Sequence, residues 1–326
     1  MRKAPLLVTI AAVVTGLLTP AASAAADCTW QIRPLPVEDG MDWSNLRITG
    51  VDAQGNASGF HTTRGKLDHA LTRWTADRVE VLPKPKGATA FVTIAGNASG
   101  VVIGRVELDD GTEAFMTHTP GVGYQELPVP AGYDPELITL TDINDRGDVL
   151  AKWWGTRTLP QAGLLWPGDG GAPVVITVPD VQWPDPVAIR NDRTILFGSG
   201  DGVWLWRDGV ATSLGDWGYT AHLRDITRDG VVASREYEQP RTSSLWREST
   251  GVMEKIDGVL EEVNEDGIAV GYLDDGNYTY AVWRGATFDS LLPSSPGASD
   301  ARADVVGASG VIGGFSGTKP VVWTCR

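Results

Sequence analysis

The stretch that decides the fold is Ile189-Arg190-Asn191-Asp192-Arg193, Thr194-Ile195-Leu196-Phe197, Val203-Trp204-Leu205-Trp206, Arg207-Asp208-Gly209 and Val210-Ala211-Thr212-Ser213-Leu214. Apolar and β-branched runs alternate with short clusters of Asn, Asp, Arg and Gly, which is the pattern of strands joined by tight hairpins. Two hairpins joined by a loop of variable length make one four-stranded antiparallel unit. The tryptophan that closes the third strand, Trp206, marks a slot that can be followed outward in both directions.

That slot recurs at Trp74, Trp166, Trp246, Trp283 and Trp323, with His118 filling it in the second copy. The first hairpin turn recurs as Asp52-Ala53-Gln54-Gly55, Gly96 to Gly100, Asn144-Asp145-Arg146-Gly147, Thr227-Arg228-Asp229-Gly230, Asn264-Glu265-Asp266-Gly267 and Gly307-Ala308-Ser309-Gly310. Turns and slots give the same count, seven, at a period near 40 residues. A four-stranded unit of that length is the size of a propeller blade, and blades packed radially bury faces that none could bury alone. The expected fold is an all-β, seven-bladed β-propeller, with the slot tryptophans as packing between blades.

The ends of the chain bear on closure. The last copy stops after Val321-Val322-Trp323-Thr324-Cys325 and lacks a fourth strand, whereas Cys28-Thr29-Trp30-Gln31-Ile32-Arg33-Pro34-Leu35-Pro36-Val37 is an orphan strand ahead of the first copy. If the orphan completes the last blade, Cys28 comes beside Cys325, and the only two cysteines form one disulfide. Residues 1–26 read as a secretory signal. Arg2 and Lys3 precede an apolar run from Leu6 to Leu18, then Pro20 and the small residues Ala21 to Ala26. The expected organisation is a signal peptide at 1–26 and a single propeller domain at 27–326, secreted and extracellular. No later apolar stretch reaches the roughly 18 residues of a membrane helix, so no membrane insertion is expected.

The copies resemble those of the extracellular HAF-repeat proteins, bacterial repeats named for a His-Ala-Phe tripeptide ahead of an apolar-Trp strand. The tripeptide position reads His69-Ala70-Leu71, Glu113-Ala114-Phe115 and Tyr280-Ala281-Val282, and the Asn-x-x-Gly turn is matched at Asn144 to Gly147 and Asn264 to Gly267. The resemblance implies a secreted bacterial repeat protein with a β-propeller-like fold. It carries no catalytic residue.

The chain is acidic, with a formal net charge of −14, and loss of Arg2 and Lys3 with the signal makes the mature protein more negative still. Such a charge repels phosphate backbones and argues against nucleic acid as a partner. The four histidines, His61, His69, His118 and His222, show no zinc-site spacing, and no nucleophile elbow or phosphate loop is readable. Asp225 to Gly230, with Glu236 beyond, imitates a calcium loop. Thr227 stands where Asp or Asn is usual, and no flanking helices follow, so the string reads as a hairpin turn. No catalytic residue, metal or cofactor is expected, and a monomer is expected.

Strand order assigns the remaining aromatics. The loops between second and third strands share a face with the blade-to-blade connections, and the tight hairpins occupy the other face. Trp43, Tyr133, Trp154, Trp183, Trp217, Tyr237 and Tyr278 all belong to the loop-rich face. Aromatic side chains on loops offer stacking platforms or binding hot spots. The expected function is a binding scaffold recognising a carbohydrate, cell-envelope or protein ligand there. Its rival is a polysaccharide-acting hydrolase or lyase using carboxylates such as Asp185, Asp201 or Asp216 on the same face.

Overall fold

The computed structural model describes residues 29–326 except 40, 42–43, 63–68, 158, 180, 182, 200–201, 218–221, 231 and 236–240. The proposed signal, Cys28, Trp43, Asp201, Glu236 and Tyr237 therefore lie outside the described residues. The chain forms an all-β propeller whose described strands make four-stranded antiparallel sheets, seven in number, each a blade. From the inside outward, blade 3 is Ile138–Ile143, Val149–Trp153, Ala162–Trp166 and Val174–Ile176. Blade 4 is Asp185–Ile189, Ile195–Ser199, Gly202–Arg207 and Val210–Gly215. The innermost strands of the others are Leu46–Val51 in blade 1, Ala88–Gly96 in blade 2, His222–Ile226 in blade 5, Val259–Val263 in blade 6 and Ala301–Val306 in blade 7. Each touches the next, and the seventh touches the first, so the innermost strands close a ring around a central channel.

The ends meet in the last blade. Trp30–Pro34 runs antiparallel to Lys319–Cys325, with Trp30 opposite Cys325 and Pro34 opposite Val321. The Thr29 N–H donates to the Arg326 carbonyl at 3.1 Å, extending that pairing by one residue. No cysteine among the described residues is free.

The slot residues share one register. Trp74, His118, Trp166, Trp206, Trp246, Trp283 and Trp323 each face the beginning of the second strand, opposite Ala57, Val102, Val149, Ile195, Val232, Ala269 and Ile312. Trp74, Trp166, Trp283 and Trp323 are buried, as is His118, and the clusters around them form the core between neighbouring sheets.

The asparagines of the first hairpins have a second role. Asn144 Oδ1 accepts from the N–H groups of Arg146 and Asp148 in its own turn, while Nδ2 donates to the Arg190 carbonyl of blade 4 at 3.0 Å. Asn97 does the same within its turn and toward Asn144, and Asn264 reaches the Gly307 carbonyl at 2.9 Å. Arg190, in the equivalent position of blade 4, donates to the Thr227 and Arg228 carbonyls. One side chain thus shapes a hairpin and ties it to the next blade. An Asn264→Ala change leaves the Gly307 carbonyl with the Gly310 N–H alone and takes the side-chain acceptor from the Ile268 N–H, a loss of about 1–3 kcal/mol. Chemical denaturation of the variant checks the value; an unchanged midpoint would show that the link between blades contributes nothing.

Every innermost strand also carries a register shift at the same place, after Ile48, Thr93, Leu140, Pro186, Leu223, Leu260 and Ala303. The extra residues are Thr49, Ile94, Thr141, Val187, Arg224, Glu261 and Asp304, and all but Glu261 line the channel. A bulge bends the strand and re-aims its side chains. It also brings backbones together. A Cβ on Gly271, opposite Leu260, would run into the Val259 carbonyl, and one on Gly314, opposite Ala303, into that of Arg302. Glycine in the second strand accompanies the bulge for that reason.

Candidate functional site

Of the concavities among the described residues, two hold ionisable side chains from the two inner strands of a blade. One opens on the loop-rich face, where the connections and second loops of blades 3, 4 and 5 meet, and encloses about 570 Å³. That volume lies in the range of small-molecule sites. Trp154, Trp183 and Trp217 line it, together with Lys152, Gln161, Asp185, Ser199, Asp216 and His222.

Each tryptophan is fixed differently. Trp154, in the loop after the second strand of blade 3, is 51% exposed, and its Nε1–H donates to Thr139 Oγ1 at 3.0 Å. Trp217, between blades 4 and 5, is half-buried. Its indole donates to the Leu214 carbonyl at 3.3 Å and lies obliquely against Trp246 with 6.3 Å between ring centroids. Trp183 precedes blade 4 and is 65% exposed at φ 59°, a left-handed conformation uncommon for a bulky residue. The next residue is anchored from below, because Gln161 Nε2 donates to the Pro184 carbonyl at 2.9 Å. A large ring is thus presented to solvent on strained but anchored backbone.

The polar centre is Lys152. It belongs to Val149–Trp153, a strand buried along its whole length, and is itself only 9% exposed. Its Nζ lies 2.9 Å from Asp185 Oδ1 and 3.5 Å from the centroid of the Trp154 ring. The carboxylate and the π-face together replace much of the hydration that the ammonium loses. Asp185 is half-exposed, so the pair opens into the pocket.

The second concavity is the channel, about 290 Å³. Asp142, Asp225, Glu262 and Asp304 line it, with Arg224 beside them. Burial pushes Glu262 up to about 8, and the neighbouring Asp142 adds to the effect while Arg224 opposes it. Asp225 is raised well above the usual carboxylate range by burial, then by Asp142 and Glu262. Burial also raises Asp142, although it accepts from the N–H groups of Ile143 at 2.7 Å and Ile189 at 2.9 Å. Asp304 is raised by burial too, against the pull of Arg302, whose Nε lies 2.9 Å from its Oδ1. At the hairpin end, Glu265 crosses the opening to accept from the Asn191 N–H at 2.6 Å. Val187 lines both channel and pocket, whereas Asp142, Asp225, Glu262 and Asp304 line the channel alone. Among the described residues, no group of three or more His, Cys, Asp and Glu is placed to hold a metal ion. Asp225, which opens the calcium-like string, lines the channel instead.

Of the seven aromatics expected on this face, the structure brings together Trp154, Trp183 and Trp217. Tyr133 does not join them: partly buried, it packs edge-on against the buried Trp153 at 4.6 Å between centroids and lies against the core of blade 3, outside the pocket lining. Tyr278 is exposed but stands apart, edge-on against Tyr272 with Arg241 beside it. Trp43 and Tyr237 fall outside the described residues. Lys152 and Gln161 were missed. A single cation within the apolar run Val149-Leu150-Ala151-Lys152-Trp153 was the available signal for the first. Of the rival carboxylates, Asp185 is ion-paired, Asp216 lines the pocket rim and Asp201 lies outside the described residues.

No family model and no curated protein matches this chain in sequence. Among solved structures it is similar to a streptogramin B lyase, with a TM-score of 0.56 at 13% identity over 92% of this chain and 98% of that one. It is also similar to a catalytically inactive virginiamycin B lyase from Staphylococcus aureus with quinupristin, with a TM-score of 0.57 at 11% identity over 91% and 99%. A third, YCF48 bound to D1 peptide, has a TM-score of 0.50 at 11% identity over 90% and 95%. At these identities the likeness is one of fold, and propellers host both binding and catalysis.

Proposed function

We propose that this protein is an exported binding propeller that takes its ligand in the tryptophan-lined pocket between blades 3, 4 and 5. The observation that carries the reading is the convergence of Trp154, Trp183 and Trp217 around one concavity with a buried lysine at its centre. Exposed indoles beside a desolvated charge supply contact area and orientation together, which is how binding sites concentrate their energy. Binding is favoured over polysaccharide cleavage for two reasons. Asp185 is engaged by Lys152, and the carboxyls raised by burial line the channel and not the pocket. Export by residues 1–26, kinship with HAF-repeat proteins and a monomeric seven-bladed ring closed by Cys28–Cys325 belong to the same proposal.

A screen against polysaccharides and cell-envelope fractions, run beside a Trp183→Ala/Trp217→Ala variant, tests the site. Saturable binding that drops at least tenfold in the folded variant is expected. Equal binding by both proteins would reduce the indoles to packing, and turnover lost on Asp185→Asn would replace binding by catalysis. For the closure, peptide mapping of the native protein without reduction should recover one cross-linked peptide containing residues 28 and 325. Two free thiols would remove the proposed bridge.

A further inference from the structure

The pocket also indicates which chemistry it would accept, an inference that rests on the binding reading above. From the geometry of its polar centre, we infer that the Lys152–Asp185 pair is a reader of vicinal hydroxyls and that the ligand is a neutral glycan.

An ammonium has three N–H donors and a carboxylate accepts through both oxygens. Here one of each stands 2.9 Å apart at the edge of an aromatic pocket. Two adjacent equatorial hydroxyls of a pyranose are spaced at about the same hydrogen-bond length. One oxygen accepts from Lys152 Nζ while its neighbour donates to Asp185. Both hydrogen bonds are charge-assisted, and hydrogen bonds to charged groups contribute about 1.5–3 kcal/mol each. Lys152 is almost wholly buried and seated on the Trp154 ring, so little side-chain freedom is lost when the sugar arrives.

The tryptophans account for the rest of the sugar. A pyranose presents apolar C–H faces as well as hydroxyls. Trp183 and Trp217 flank the pair with exposed and half-exposed rings that can cover such faces. Charge sets the class. Asp185 and Asp216 outnumber the single lysine in the pocket lining, and the whole chain carries −14. A uronic-acid or phosphate-bearing polymer would meet like charge there, whereas a neutral glycan would not.

The test uses the secreted chain with neutral gluco-, manno- and galacto-oligosaccharides of five units, an oligogalacturonate of the same length, and a peptide pool. Calorimetry and tryptophan fluorescence read the binding. At least one neutral oligosaccharide should saturate the protein and bind at least tenfold tighter than the oligogalacturonate. Lys152→Met should weaken it at least tenfold, as should Asp185→Asn. Deleting one of the two read hydroxyls from the sugar should cost a similar factor in the wild type and little in either variant. That non-additivity is a readout that a merely structural lysine would not give. Near-ultraviolet circular dichroism confirms folding, and Asp185→Asn keeps the test open if Lys152→Met does not fold.

Preference for the oligogalacturonate or the peptides, or neutral-sugar binding unaffected in Asp185→Asn, would overturn the inference. Envelope binding that depends on Trp183 and Trp217 but is not competed by any neutral sugar would overturn it too, while leaving the pocket standing. Envelope binding independent of both tryptophans would remove the pocket as well.

Discussion

Replacing Arg193 by glycine is expected to destabilise the protein by about 2–4 kcal/mol, although six other blades carry glycine at that position. Gly55, Gly100, Gly147, Gly230, Gly267 and Gly310 occupy the left-handed corner of the first hairpin, and Arg193 takes the same corner at φ 64°. On backbone grounds alone the change should stabilise, since glycine enters that region without steric cost. What opposes it is Asp148, whose side chain is fully buried in the neighbouring blade. Arg193 donates to it through Nε at 3.0 Å and Nη2 at 2.8 Å, while the Gly168 N–H and the Asn144 amide complete its shell. Burial works against ionisation of Asp148, but these donors outweigh it and hold the carboxyl below its ordinary range.

The double variant Asp148→Asn/Arg193→Gly should lose less than the sum of the single losses, because no buried charge is then left unpaired. The pH dependence carries a sign as well. A carboxyl depressed on folding contributes stability that is present above its unfolded value, near 3.9, and lost as pH falls through the folded one. Arg193→Gly should therefore flatten the acid limb of the stability profile. Denaturant melts from pH 7 down to pH 3 measure it; a wild-type-like acid limb in the variant would show that another carboxylate governs that transition.

Particular residues show how far the sequence could be read. The slot tryptophans and the strand at Trp30 were legible because periodicity and an unpaired end are properties of the chain itself. The turn asparagines were legible as hairpin formers, but the amide that crosses to the next blade was not, since its acceptor lies about 45 residues away. Loop order placed Tyr133 and Trp183 on one face. It left open whether a ring packs down against the core, as Tyr133 does on Trp153, or turns outward, as Trp183 does. The channel carboxyls were hidden for another reason. The bulge breaks the alternation of side chains along each innermost strand, so inside and outside cannot be counted off by twos across it.

Those carboxyls make the ring less stable in alkali. Asp142, Asp225 and Glu262 are all raised first by burial and then by neighbouring carboxylates, so the native state holds protons that the unfolded chain releases near pH 4. A carboxyl raised on folding disfavours the native state progressively as pH climbs from its unfolded value through its folded one. For Glu262 that window closes at about 8. Glu262→Gln, which keeps the shape and removes the ionisation, should raise stability at pH 9 by about 2–4 kcal/mol and change little at pH 5. The lower part of that span applies because the channel admits solvent beside the carboxyl. The corresponding rise in melting temperature at pH 9 is on the order of 5 °C for a domain of this size. A gain of equal size at pH 5 and pH 9 would mean that glutamine merely packs better. A loss at both would mean that Glu262 serves the ring as an ionised acceptor, with Arg224 rather than a proton as its partner.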